Sequence, residues 1–227
     1  MSEIRVEYHK ELNSKLWNGM ELKPEVQKKL LAIVNAFLDF CYLPVRPKDI
    51  LLVGSQANYT WTDESDIDIN VIVDLHHFKD PKLIKEFFAT KKKLYKRDHD
   101  IRIYDIPVEI TVDEKNGSDA AYSLSRGEWV DQPVYHKPEF DGEKASDLAD
   151  KWKDRIVDLV KDPDAKFKKL VSLKKKLKDW RADAVEDSDK TEFHPVNIAY
   201  KNLRKKGYID KLKHAMRQRV VKQLSLN

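Results

Sequence analysis

Two carboxylates stand two residues apart in an otherwise apolar stretch of the chain. Asp66 and Asp68 lie in "DIDINVIVD", which has the alternating pattern of a β-strand. Alternate side chains of a strand share a face, so the pattern predicts that Asp66, Asp68 and Asn70 point the same way, with a Cα spacing of roughly 7 Å. Such a pair repels unless a cation lies between the carboxylates, and Mg²⁺ prefers carboxylate oxygens. The spacing predicts a divalent-cation site, and the alternative is a pair of solvated acids on an edge strand.

A third carboxylate, Glu109, stands in the strand-like stretch "VEITV". If this strand pairs beside the first, Glu109 joins Asp66 and Asp68 over a common site. Three carboxylates can hold two Mg²⁺ (or Mn²⁺) ions roughly 4 Å apart, as in the in-line displacement of phosphoryl groups. One ion would activate the attacking hydroxyl, and the other would bind the triphosphate of an NTP. Asp105 and Asp113 become the alternatives if the strand register differs, but Glu109 is the one with apolar neighbours on both sides.

Candidate phosphate-binding residues surround this set. Gly54 and Ser55 directly follow the apolar run "ILLV", where a glycine lets the backbone turn and approach a ligand closely. The amides around Ser55, together with its hydroxyl, are predicted to hold the outer phosphates of a nucleotide. Arg102, Lys174 and Lys178 are further candidates for phosphate contacts. For the two lysines the alternative is the solvated face of a packed helix.

These motifs resemble the signature of the DNA polymerase beta-like nucleotidyltransferase superfamily. That signature is an apolar residue followed by Gly and then Gly or Ser, a spacer of about ten residues, and then alternating acidic and apolar residues. The matching stretches are "VGS" at 53–55, "DIDI" at 66–69 and "VEI" at 108–110. The resemblance implies an α/β (α+β) fold, with a small mixed β-sheet flanked by helices and a C-terminal helical bundle that helps to shape the nucleotide site. Residues 193–219 also resemble uncharacterised nucleotidyltransferase-like proteins of tailed phages.

The remaining pattern predicts the elements that position these residues. An amphipathic helix is expected at 24–40, a helix-like stretch at 81–95, and a tight connection between two strands around Ile106 and Pro107. Residues 120–142 are interpreted as a short helix and an ordered loop. A boundary near Gly142 then divides a catalytic domain (1–142) from a helical domain (143–227), whose helices are expected at 146–160, 163–180, 194–203 and 209–224.

Composition narrows the functional classes. The net charge of +4 does not by itself imply a polyanionic partner. The single cysteine, Cys41, excludes an internal disulfide and a cysteine-based zinc site, and it is expected to be buried. No apolar run is long enough to cross a bilayer, and the polar first residues do not read as a signal peptide. A cytoplasmic protein without a membrane partner is expected.

Two functions follow from these observations. The first is a metal-dependent nucleotidyltransferase that moves an NMP from an NTP, such as ATP, to a hydroxyl or similar acceptor and releases pyrophosphate. The acceptor could be an RNA 3′ end such as that of tRNA, a small molecule, a second nucleotide or a protein side chain. The alternative is a catalytically inactive member of the same fold that acts as a binding or antitoxin-like module.

Overall fold

The computed structural model describes residues 8–62, 65–135, 141–186 and 193–225. The described residues form two compact units, the first within Val6–Lys137 and the second within Pro138–Asn227. Whether residues 1–142 and 143–227 are separate domains, as the sequence predicts, stays a prediction.

The first unit is built on a mixed β-sheet. Its strands and helices, in chain order, are β1 (Trp17–Asn18), β2 (Glu21–Leu22), α1 (Pro24–Cys41), β3 (Pro47–Val53), β4 (Ile67–Val73), α2 (Pro81–Asp98), β5 (Arg102–Ile103), β6 (Ile106–Asp113), β7 (Ala121–Ser123) and β8 (Glu128–Asp131). Within the described part of this unit, β1 pairs with β2, and a six-stranded sheet runs in the order β5-β6-β4-β3-β7-β8. The β4–β6 pair is parallel and α2 lies in the connection between the two strands, whereas β3 pairs antiparallel with both β4 and β7. The predicted mixed sheet with flanking helices is confirmed.

One face of this sheet forms the main core. Helix α1 begins at Pro24, which suits the first turn of a helix because it has no N–H to leave unpaired. Its apolar positions recur at helical spacing and pack with α2 against the inward residues of the strands. Representative members of this cluster are Leu30, Phe37, Leu52, Ile69 and Ile110. Cys41 ends α1 and is buried, as the sequence predicts.

Two local predictions are wrong. Residues 121–131 form the hairpin of β7 and β8, not a short helix, because Tyr122 pairs with Trp129 and Gly127 takes a positive φ of 71° in the turn. The hairpin of β5 and β6 turns at Tyr104 and Asp105, which both have positive φ, and not at Ile106 and Pro107. Ile106 instead pairs with Ile103. Residues 136–140 of the predicted loop lie outside the described residues.

The second unit is helical. Its described elements are α3 (Gly142–Lys161), α4 (Phe167–Glu186), α5 (Pro195–Lys205) and α6 (Tyr208–Leu224). Buried side chains from all four, including Ile156, Leu170, Leu203 and Leu212, form one core. All four predicted helices are present, but two have clearly different bounds. Helix α3 begins four residues early, at Gly142, because the side chain of Asp141 caps it by accepting a hydrogen bond from the Lys144 N–H. Helix α4 begins four residues late, after a turn in which the Asp164 N–H donates to Asp162 Oδ1, and it ends six residues beyond the predicted end. Among the described residues, no helix combines the length and apolar composition needed to cross a membrane.

Candidate active site

The two acidic strands lie side by side. In the parallel pair of β4 and β6, Asp68 stands directly opposite Glu109, and Asn70 stands opposite Thr111. Residues in register on neighbouring strands project from the same face of a sheet, so these four side chains share one face. The apolar pairs Ile67–Val108 and Ile69–Ile110 alternate with them and face the core. The two strands therefore pair as the sequence analysis assumed. Glu109 is the acid in register with Asp68, whereas Asp105 lies in the turn and Asp113 lies opposite Ile72. The role of Glu109 as the third carboxylate stays a prediction.

Gly54 brings the end of β3 against Asp68. Val53 pairs with Asp68, so the next residue lies at the acidic end of β4. Gly54 has φ 74° and ψ −160°, a conformation that is essentially restricted to glycine. A Cβ added there would lie 2.6 Å from Asp68 Oδ2, closer than real Cβ atoms approach. The glycine is therefore required both by the backbone turn and by the position of the Asp68 carboxylate.

Gln56 fixes the turn that follows Gly54. Ser55 begins a short 3₁₀ helix, Ser55–Ala57, and Gln56 within it is completely buried. The Gln56 side chain accepts a hydrogen bond from Asn13 Nδ2 (3.0 Å) and donates one to the carbonyl of Ser65 (3.2 Å). Its own carbonyl accepts a 2.7 Å hydrogen bond from Trp17 Nε1. This residue ties the turn to the start of β4 and to the N-terminal segment, and the sequence pattern gave no signal for it beyond its place in the spacer.

Glu109 is paired with two lysines of α2. Lys96 Nζ contacts Glu109 Oε1, and Lys92 Nζ lies 3.3 Å from Glu109 Oε2. Burial alone would raise the pKa of Glu109, but the hydrogen bonds and charges of Lys96 and Lys92 outweigh it and hold the pKa below its usual value. Lys92 also donates a 2.9 Å hydrogen bond to Thr111 Oγ1. Both lysines were missed in the sequence, although their i, i+4 spacing on one face of a helix is the signal that could have found them.

Asn70 adds an unsatisfied polar atom to this face. Its side chain is 9% exposed, and its Oδ1 has no hydrogen-bond partner among the described residues. Buried oxygens are normally paired, so this unpaired oxygen near Asp68 and Thr111 lacks a partner that a ligand, a water or an ion could supply.

The carboxylates provide hard oxygen donors of the kind that Mg²⁺ and Mn²⁺ prefer. Asp66, Asp68 and Glu109 are all partly buried, and Asp66 directly precedes β4. Across residues 8–62, 65–135, 141–186 and 193–225, no three His, Cys, Asp or Glu side chains already converge as a metal-binding group. The donor set, the unpaired Asn70 oxygen and the glycine cradle over Asp68 fit a divalent cation, and the metal site itself stays a prediction.

The other three predicted phosphate contacts lie outside β4 and β6. Arg102 is in β5 opposite Pro107, so it lies on the Glu109 face of the sheet; its guanidinium contacts Asp100 at 3.0 Å and the carbonyl of Asp105 at 3.0 Å. Lys174 and Lys178 are exposed on α4 of the second unit. Contacts of these three residues with nucleotide stay a prediction.

Comparison with known proteins identifies a family model that covers most of the chain. The family model described as "Nucleotidyltransferase domain" matches residues 33–206, well over half of the chain. No curated protein and no solved structure matches the chain.

Proposed function

Because this chain belongs to the nucleotidyltransferase domain family, we propose that it transfers a nucleoside monophosphate from an NTP to an acceptor hydroxyl or similar group. The observation that carries the proposal is the register of β4 and β6, which sets Glu109 beside Asp68 at the end of the sheet where Gly54 turns. The acceptor oxygen would bond to the α-phosphorus as the bond to the β-phosphate oxygen breaks. Pyrophosphate would leave with the electron pair of that bond, and the acceptor proton would pass to solvent.

Asp66, Asp68 and Glu109 would hold Mg²⁺ or Mn²⁺, with two ions as the proposed number. Bound ions of this kind lower the pKa of an attacking hydroxyl and neutralise the charge that develops on pyrophosphate. The protein's own part is positional: β4 and β6 fix two carboxylates in register, and Gly54 holds the chain against Asp68. Such fixed geometry reduces the entropy cost of bringing the reacting groups together.

The turn at Gly54 and Ser55 is proposed to bind the outer phosphates of the NTP. The hydrogen bonds of this turn use the N–H groups of Ala57 and Asn58, which donate to the carbonyls of Gly54 and Ser55. The earlier amides and the Ser55 hydroxyl would be the phosphate donors. Arg102 would contact phosphate by exchanging its exposed partner Asp100, since exposed ion pairs are weak. Lys174 and Lys178 are proposed as additional phosphate contacts.

The acceptor is proposed to be an RNA 3′ end, with tRNA as one candidate, or a small molecule bearing a hydroxyl group. Site residues of this type act on the NTP and not on the acceptor, so the assay must offer several acceptors at once.

The test is transfer of label from each α-³²P NTP, with Mg²⁺ or Mn²⁺, in the presence of total tRNA and cell extract. We expect label in a product with the intact protein and none with a variant carrying both Asp66→Ala and Asp68→Ala. The matched control is Asp113→Asn, because Asp113 lies in the same strand as Glu109 and is also an acid. It should retain transfer, whereas Glu109→Gln should lose it.

Two outcomes would overturn the proposal. Equal labelling by the intact protein and the double variant would mean that these carboxylates do not act in the reaction. Absence of transfer together with absence of NTP and metal binding would favour the non-catalytic binding module.

A further inference from the structure

The contacts of Glu109 differ from those of its neighbour on β4. The Asp68 carboxylate lies against Gly54, whereas each carboxylate oxygen of Glu109 is paired with an ammonium group of α2. Lys92 and Lys96 are four residues apart, so both reach the same strand from one face of the helix. These lysines therefore supply positive charge directly to Glu109.

The two lysines are not equivalent. Lys92 is 30% exposed and is also bonded to Thr111 Oγ1 at 2.9 Å, so it keeps a partner if Glu109 moves. Lys96 is 58% exposed, and an exposed side chain exchanges protein contacts for water at little cost. Of the two, Lys96 is the lysine that can release Glu109.

The pair of Lys96 and Glu109 borders a cavity within the same unit. A cavity of about 180 Å³ lies between the helices and β6, and its lining includes Lys96, Glu109, Tyr95 and Val108. Side chains that border a cavity can change rotamer without displacing close-packed core atoms.

We propose that Lys96 is a positioning residue that holds Glu109 in a resting orientation and that a divalent cation must displace it to recruit Glu109 to Asp68. The proposal rests on the proposed function, because it takes Glu109 as a metal ligand. Lys96 and the cation compete for one carboxylate, so the lysine lowers the affinity of the resting site. Lys92 stays beside Thr111 in both arrangements and limits how far the strand edge rearranges.

The test measures Mn²⁺ binding to the full chain without NTP, by the loss of the free-Mn²⁺ signal in electron paramagnetic resonance. We expect Lys96→Met to tighten Mn²⁺ binding by about threefold to fivefold, the range of an exposed or half-exposed ion pair. Lys93→Met is the matched control, because Lys93 is an exposed lysine of the same helix with the same charge. Lys96→Arg, which keeps a cationic partner for Glu109, should bind Mn²⁺ like the unmodified protein.

A double-variant cycle separates this competition from a general effect of charge. If Lys96 acts through Glu109, Lys96→Met should have no effect on Mn²⁺ binding when Glu109→Gln is already present. Thermal melting of each variant checks that the fold is retained.

The results that overturn the proposal are distinct from those that overturn the proposed function. Three results would defeat the role of Lys96 and leave nucleotidyl transfer standing. These are equal tightening of Mn²⁺ binding by Lys93→Met and Lys96→Met, weaker Mn²⁺ binding by Lys96→Met, and an effect of Lys96→Met on Mn²⁺ binding that persists when Glu109→Gln is present. Absence of Mn²⁺ binding from the unmodified protein and from both lysine variants would defeat the metal site, and the role of Lys96 with it.

Discussion

The two faces of the central strand β4 have opposite character between residues 67 and 71, before Ile72 joins a small apolar cluster on the second face. Ile67, Ile69 and Val71 point into the core beneath α1 and α2, and each is at most 1% exposed. Asp68 and Asn70 alternate with them on the other face, beside Glu109 and Thr111 of β6.

This difference shows how one strand can separate stability from chemistry. The apolar face contributes burial, which favours folding in proportion to the area removed from water. The polar face gathers like charges and an unpaired amide oxygen, which oppose folding unless a ligand or a counter-charge is present. Substitutions of adjacent residues should therefore have separable effects.

The largest expected effect is that of Asp68→Asn on transfer. Losing one carboxylate from the acidic set should slow NMP transfer by about 10²- to 10³-fold, the cost of removing one electrostatic group from a preorganised site. The free energy of unfolding should change by less than about 1 kcal/mol, because the substitution also relieves repulsion with Asp66. Parallel rate measurements and urea unfolding test both parts, and a large loss of stability would contradict the separation of the two faces.

The neighbouring substitution Ile69→Ala should do the reverse. Ile69 is 1% exposed in the main core, so truncation should lower the free energy of unfolding by about 2–5 kcal/mol. Protein that remains folded should keep most of its transfer rate per active molecule. Urea unfolding curves and active-site titration at low temperature measure the two quantities, and a specific loss of rate in fully folded protein would mean that the faces are coupled.

Gly54→Ala should lower both the stability and the transfer rate, since Gly54 has a backbone conformation that strains other residues and also lies against the Asp68 carboxylate. The strained backbone should cost about 1–3 kcal/mol, and the added Cβ should also displace the Asp68 carboxylate and slow transfer. Gly19→Ala is the control, because Gly19 also has positive φ but an added Cβ there would meet nothing within 4 Å. It should cost stability without slowing transfer, and equal rate losses in the two variants would rule out a specific role for the contact with Asp68.

A smaller effect is expected on the core side, at Cys41. Burial raises the pKa of this thiol to about 11, although the charge of Lys91 opposes the rise. Between pH 9 and 11 the unfolded chain would release the thiol proton while the folded chain keeps it. The stability from burying the neutral thiol is therefore complete below pH 9 and is lost as the pH rises towards 11.

The measurement is urea unfolding from pH 8.5 to 11 for the unmodified protein and for Cys41→Ala. The unmodified protein should lose stability faster, with an excess slope of at most about 1.4 kcal/mol per pH unit. Parallel curves for the two proteins would show that Cys41 ionises alike in the folded and unfolded chains.

The sequence predicts the polar face well because its pattern is local. Alternation in "DIDINVIVD" and "VEITV" assigns the faces of β4 and β6, and Gly54 marks the turn between β3 and the acidic strand. Alternation does not fix the register, however, so the pairing of Asp68 with Glu109 is known only from the placement of β6 beside β4.

Features that depend on tertiary placement could not be predicted. In the sequence, Lys92 and Lys96 are simply part of a basic run, and only the position of α2 beside β6 shows that they pair with Glu109. In the same way, Gln56 is a loop residue in the sequence, and its hydrogen bonds to Asn13, Trp17 and Ser65 appear only in the fold. The β7–β8 hairpin was missed because its strands are three and four residues long, which is too short for alternation to stand out.

The mixed topology also has a consequence for the order of folding. Asp68 meets Val53 through an antiparallel pair closed by one loop, whereas it meets Glu109 through a parallel pair whose connection contains all of α2. Closing the longer connection costs more chain entropy, and non-local parallel pairing is slow. In refolding from denaturant, the contact between Gly54 and Asp68 should form first, and the proposed binding of divalent cations should return only with the later docking of β6.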